Sequence, residues 1–188
     1  MKRLLLLCLL VSLFSNVTTA KEVAGINLAE TMQRAEDGVT LELNGAGVRE
    51  KFFFDIYVAA LYLQQKSNQA SVILNGEAAA RVEMRMLYSE VKQEKFVQGW
   101  NDGFSANLGE AQFKQLVERL NQFNGWFETL TEGEMIELDY FPGKGTRVKI
   151  KGVEKGVIPG GDFFQALLSV WLGEKPVTKS LKEDLLGL

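Results

Sequence analysis

The hydrophobic period of this chain changes three times, and those changes restrict its fold more than any single motif does. Residues 39–43 (VTLEL) alternate, and residues 48–54 and 56–63 are extended runs rich in β-branched and aromatic side chains. Both patterns predict strands. Asn44-Gly45-Ala46-Gly47 interrupts them and reads as a turn. The two runs around Asp55 are compatible with one long bent strand or with a hairpin. A short helix is predicted over residues 67–75, ending at Asn75-Gly76. Residues 81–87 (RVEMRML) alternate charged with apolar, giving a strand with one packed face.

The period then becomes helical. Ser89 is a candidate cap, with Val91, Phe96, Val97 and Trp100 at helical spacing, and Asn101-Asp102-Gly103 loosens or ends the segment. A second helix is predicted over residues 108–123, with Phe113, Leu116, Val117, Leu120 and Phe123 on one stripe. Strand periodicity returns at residues 135–141 and 147–150, paired across a turn, with a third short run at 154–158. Arg147, Lys149 and Lys151 alternate and read as the wet face of that meander. Pro159-Gly160-Gly161 stops it. Asp162 then caps an apolar helix over 163–172, Gly173 and Pro176 end that helix, and a final short one follows over 178–186. This order predicts an α+β fold, a mainly antiparallel sheet covered on one face by a layer of helices. Lys21–Gly38 is amphipathic and reads as a lead-in strand or a tail.

The first twenty residues belong to a different class. Lys2 and Arg3 precede an apolar run from Leu4 to Leu13, and Val17-Thr18-Thr19-Ala20 supplies small residues before a cut. That order is a cleavable secretory signal, too short for a comfortable membrane span. Its removal leaves residues 21–188 as one domain, exported to the periplasm or otherwise secreted. Cys8, the only cysteine, leaves with it, so no disulfide staples the remaining fold. Taking Lys2 and Arg3 from the 21 basic residues leaves 19 against 24 acidic ones, a balance of −5 that argues against nucleic acid as a partner.

No histidine occurs anywhere in the chain. Its absence excludes histidine-based hydrolytic triads, the usual zinc sites and an imidazole base. Gly143-Lys144-Gly145-Thr146 lacks the upstream glycine spacing of a phosphate loop and reads as a turn between strands. No cofactor motif is present, so any chemistry falls to Tyr, Lys, Arg, Asp or Glu.

Three segments carry a resemblance. They are Asn44-Gly45-Ala46-Gly47-Val48-Arg49 with the Asp55–Leu63 run, then Tyr88-Ser89-Glu90, then Pro159–Phe163 with Trp171-Leu172-Gly173 and Pro176–Lys182. In order and spacing they resemble bacterial members of the chalcone isomerase-like family over roughly residues 37–187. The resemblance implies an antiparallel sheet backed by helices, with a ligand cleft between. The plant enzymes of this family close the central ring of a chalcone to a flavanone. By that resemblance Arg49 would stabilise an anionic oxygen and Tyr88 would hold water near the substrate carbonyl. Tyr57 falls where the enzymes have a first-strand threonine, and Lys95 where they have an asparagine. The position of their late threonine falls near Val170, with Ser169 adjacent. A related branch binds fatty acids without catalysis and keeps the arginine and tyrosine for the carboxylate.

The preferred expectation is therefore an exported, cofactor-free binding protein for a small amphipathic or aromatic acid. Arg49, Tyr57, Tyr88, Lys95 and Ser169 are its candidate ligand contacts. Two alternatives remain open. One is an intramolecular lyase (isomerase) using Arg49 and Tyr88, and the other is a structural or partner-binding domain with a filled cleft.

Overall fold

The computed structural model describes residues 20–188. The signal expected over residues 1–20 lies, apart from Ala20, outside the described residues. Strands β1 (Ala20–Val23) and β2 (Ile26–Ala29) form a small hairpin. Strands β3 (Thr31–Gln33), β4 (Thr40–Lys51) and β5 (Phe54–Leu63) then begin the main sheet. A one-turn helix, α1 (Ala70–Leu74), leads to β6 (Ala80–Met86) and the short β7 (Glu90–Val91). Two fifteen-residue helices follow, α2 (Gln93–Asn107) and α3 (Glu110–Asn124). The chain returns through β8 (Leu130–Thr131), β9 (Met135–Phe141), β10 (Gly145–Ile150) and β11 (Val153–Pro159), and ends in α4 (Gly161–Leu172) and α5 (Lys179–Leu185). The main sheet has the order β11-β10-β9-β6-β5-β4-β3, with every pairing antiparallel. This is the α+β arrangement expected from the sequence.

One face of the sheet carries Tyr57, Ala59, Leu61, Val82, Met84, Ile136, Leu138 and Val148, packed against Trp100, Phe104, Phe123, Phe163 and Trp171 of the helices. Alternation at period two sends the neighbouring residues to the other face. There Val58, Ala60 and Tyr62 bury Leu28 of the β1–β2 hairpin together with Leu41, Leu43 and Ala46. The Lys21–Gly38 lead-in is thus three short strands, and part of it is the cover of the second face.

The glycine-rich segment 44–47 is not a turn. It lies inside β4, where the register slips between Leu43 and Gly45. The physical reason is α5. A Cβ on Gly45 would come within 2.7 Å of the Leu185 backbone, and one on Gly47 would collide with the Asp184 side chain. Glycine here permits close approach of a helix to a strand, as bulged strands commonly require. Buried Asn44 fastens the same place. Its amide donates to the carbonyls of Leu185 (2.8 Å) and Ser67 (3.0 Å), and its Oδ1 accepts from the Ser67 N–H (2.8 Å).

The reversal falls eight residues later. Lys51 pairs with Phe54, leaving Phe52 and Phe53 as the two central turn residues, so the β4–β5 pair is a hairpin. Two helix expectations also change. The helix over this stretch starts at Gln93 rather than behind Ser89, and the Thr129 hydroxyl accepts the Gln93 N–H (3.3 Å). It also passes through Asn101-Asp102-Gly103 unbroken. Gly103 is present because a Cβ there would lie 2.8 Å from Val170 of α4.

Arg147, Lys149 and Lys151 do not share a wet face. Arg147 is buried and binds Asp139 (2.8 Å) and Glu36. Lys149 shares Glu36, while Lys151 sits in a turn and pairs with Glu134 (3.1 Å). Asp139, fully buried, also receives Arg81 at 2.7 and 3.0 Å. Arg34 lies 4.0 Å over the Phe141 ring and donates to the Tyr140 carbonyl (2.7 Å). The charges of this face therefore neutralise one another under the loop that precedes β4.

Candidate functional site

The antiparallel register of β4 and β5 sets Arg49 directly across from Tyr57. Cross-strand partners project to the same face, and Tyr57 belongs to the helix-facing core. The Tyr57 hydroxyl accepts the Trp171 indole N–H at 3.1 Å, which fixes the phenol and leaves its own proton free to be donated. Burial pushes the Tyr57 pKa up, so the group stays a neutral donor through the physiological range. The Arg49 guanidinium is half-buried and donates to the Glu50 carbonyl. Among the described residues no carboxylate lies within ion-pair distance of it.

These two side chains stand in the wall of a cleft of about 630 Å³ between the sheet and α2, within the roughly 300–1,000 Å³ range of small-molecule sites. Ile56, Met84 and Tyr88 continue the sheet side. Phe96, Gly99, Trp100 and Gly103 form the helix side, with Val170 and Val177 behind. Tyr88 is held edge-on by Phe54, ring centroids 5.4 Å apart. The buried Trp100 indole N–H has no hydrogen-bond partner among the described residues. At Gly99 a Cβ would meet nothing within 4 Å, so this glycine leaves space.

Charge at the cleft is opposite in sign to that of the whole chain, which is −3. Lys51, Lys92, Lys95 and Lys175 join Arg49 among its lining residues, against Glu90 and Asp102. A cleft with aromatic and aliphatic walls and with cationic and phenolic donors among its lining residues is suited to an amphipathic anion. A second depression, about 540 Å³, runs along α2 from Gln93 to Asp102. It is lined by that helix alone, so no second element supplies converging groups.

Of the five expected contacts, Arg49, Tyr57, Tyr88 and Lys95 are brought together here. Ser169 is not. It is buried, and its hydroxyl donates to the Ala166 carbonyl (2.6 Å) in its own helix, while its neighbour Val170 faces the cleft. One helical step of about 100° separates the two. Sequence reading missed Lys51, Lys92 and Lys175, which reach the cleft from a hairpin end, a helix start and a loop. It also passed over Gly99, whose only signal was a glycine inside a helical stretch.

No curated protein matches the chain. The family model described as chalcone isomerase-like matches residues 20–187. Among solved structures, a fatty-acid binding protein of Arabidopsis thaliana is similar with a TM-score of 0.58 at 18% sequence identity, over 84% of this chain and 96% of that one. At that identity the likeness is one of fold.

Proposed function

The chain belongs to the chalcone isomerase-like family, and from that premise we propose that it binds a fatty acid or a similar amphipathic acid without a cofactor. The observation that carries this reading is the Arg49 guanidinium, without a carboxylate partner among the described residues, opposite the anchored phenol of Tyr57 in the wall of an apolar cleft. The acid head meets Arg49, with Tyr57, Tyr88 and Lys95 in reach, and the chain lies between Met84 and the α2 aromatics. Each buried methylene contributes about 0.8 kcal/mol before the costs of binding. A carboxylate in such a place needs a partner of the Arg49 kind. The Arabidopsis protein of similar fold is itself described as fatty-acid binding. The leader read from Lys2, Arg3 and the Leu4–Leu13 run supports export of this binder to a periplasm or beyond the cell.

A titration with a long-chain fatty acid and its methyl ester tests the proposal. The acid is expected to bind at least tenfold more tightly, and native mass spectrometry of protein from its own compartment is expected to show a retained acid. Equal affinity for acid and ester removes the role of Arg49.

A second reading draws support from Arg49 and Tyr88 lining the same cleft, the pair that the resemblance assigns to ring closure. Stabilisation of a developing oxyanion by Arg49 is the chemistry it needs. Stereoselective acceleration of chalcone cyclisation, followed by absorbance, tests it. A filled cleft, the third sequence alternative, does not agree with the open space beside Arg49.

A further inference from the structure

The β4–β5 hairpin ends in Phe52, Phe53 and Phe54, exposed by 84%, 99% and 54%. Three adjacent rings in water at a turn are unusual, because two-residue hairpin turns ordinarily take glycine, asparagine or aspartate. Phe52 moreover holds a left-handed φ of +59°, a conformation that strains a bulky residue and that glycine adopts freely. The chain thus carries apolar surface where both solvation and backbone preference favour something else, and exposed apolar surface of this kind marks a docking site.

Two further observations identify the occupant. First, Phe52 and Phe54 belong to the cleft lining, so the exposed rings are continuous with its interior. Secondly, the five cations and two acids of that lining make this end of an acidic chain locally positive. The hairpin tip itself carries Lys51 beside Glu50 and Asp55, so the positive charge comes from the cleft it borders. Exposed aromatic rings at the mouth of a cationic cleft are the chemistry of an interfacial contact with a bilayer bearing anionic lipid.

We propose that the Phe52–Phe54 tip inserts into the headgroup region of a lipid bilayer and sets the mouth of the cleft against it. Resting on the reading of the cleft as an acid-binding site, this makes the bilayer the source or destination of the ligand. Phe53 is the ring best placed to test it, since it does not line the cleft and has almost no contact with the protein.

Full-length chain and a Phe53→Asp variant are floated with phosphatidylcholine vesicles containing about 30% phosphatidylglycerol, an anionic surface of the kind that attracts basic segments, with no fatty acid present. Any contribution from the leader is common to both, so the difference reads the hairpin. The variant is expected to lose vesicle association at least fivefold while its affinity for a soluble fatty acid in vesicle-free buffer is unchanged. A Phe53→Trp variant is expected to show fluorescence quenching by bromine-labelled lipid beyond that of the parent. Equal flotation of parent and Phe53→Asp chains overturns the proposal, as does the absence of added quenching. Self-association of the parent in sedimentation, removed by Phe53→Asp without vesicle binding, assigns the tip to a second copy instead and overturns it too. Absent acid binding in both chains, with vesicle association present in the parent and lost in Phe53→Asp, would sink the ligand assignment and leave the bilayer contact standing.

Discussion

Arg49 faces Tyr57 across the β4–β5 ladder, and the Tyr57 hydroxyl is pinned by the Trp171 indole N–H at 3.1 Å. A sheet, a helix and a turn-proximal arginine thereby converge on one spot. Two donors of fixed geometry confront an apolar space that one ionised head group can complete.

Arg49→Ala is expected to weaken fatty-acid affinity tenfold or more, about 1.4 kcal/mol or above, with the thermal midpoint nearly unchanged because the side chain is only half-buried. Arg49→Lys is expected to recover only part of the affinity, since a point charge lacks the planar fork. Calorimetric titration beside a melting curve separates the two effects, and unchanged affinity in the alanine variant would remove the guanidinium from the site.

Gly99 should divide stability from binding. A methyl group added there meets nothing within 4 Å, so Gly99→Ala is expected to stabilise the fold by up to about 1 kcal/mol through helix propensity and to leave binding intact. Gly99→Phe is expected to fold and to lose ligand, because the ring enters the cleft. Urea unfolding and ligand titration on both variants check this.

The contact of β4 with α5 is expected to be intolerant at Gly45. The obstacle to a methyl group there is the Asp184 and Leu185 backbone, whereas at Gly47 it is the Asp184 side chain. Gly45→Ala should cost about 1–3 kcal/mol, more than Gly47→Ala, in urea unfolding. Equal costs would mean that α5 shifts easily along the strand.

Acid should loosen the loop before β4. The Arg147 guanidinium holds the Glu36 carboxyl down at about 2, from an ordinary 4.5. A depressed carboxylate stabilises the fold fully above the unfolded value, and that contribution disappears as pH falls from about 4.5 through 2. Glu36→Gln is expected to be slightly less stable at pH 7 and to show a flatter loss over that interval. Unfolding midpoints measured from pH 7 to pH 2 test the sign.

Export predicts a mature amino terminus at Lys21. Amino-terminal sequencing of protein secreted from cells that express the full chain is expected to start there. A start at Met1 in exported material would contradict cleavage.

Element types were legible in the sequence because they follow from local period and composition. The alternation at 81–87 and the helical stripe ending at Phe123 each needed only their own neighbours. The errors share one cause. Asn44–Gly47 looked like a turn and Asn101–Gly103 like a helix end, yet both sets of glycines serve a partner element, α5 in one case and Val170 of α4 in the other. Phe52 and Phe53 looked like strand, and became the turn because β4 and β5 needed a reversal there despite the φ of Phe52.

The sequence by itself determined the α+β class, the lack of imidazole chemistry and of a disulfide within the given chain, and, through the resemblance, Arg49, Tyr57, Tyr88 and Lys95 as candidate contacts. Only the tertiary structure decided that these four share one cleft, that Ser169 turns away from it, and that Lys51, Lys92 and Lys175 reach it. It also decided that Arg147 is buried against Asp139 and Glu36. Local periodicity records which way a side chain points from its own backbone. What stands opposite it depends on register and packing between distant segments, 114 positions apart for Tyr57 and Trp171, and no local pattern encodes that distance.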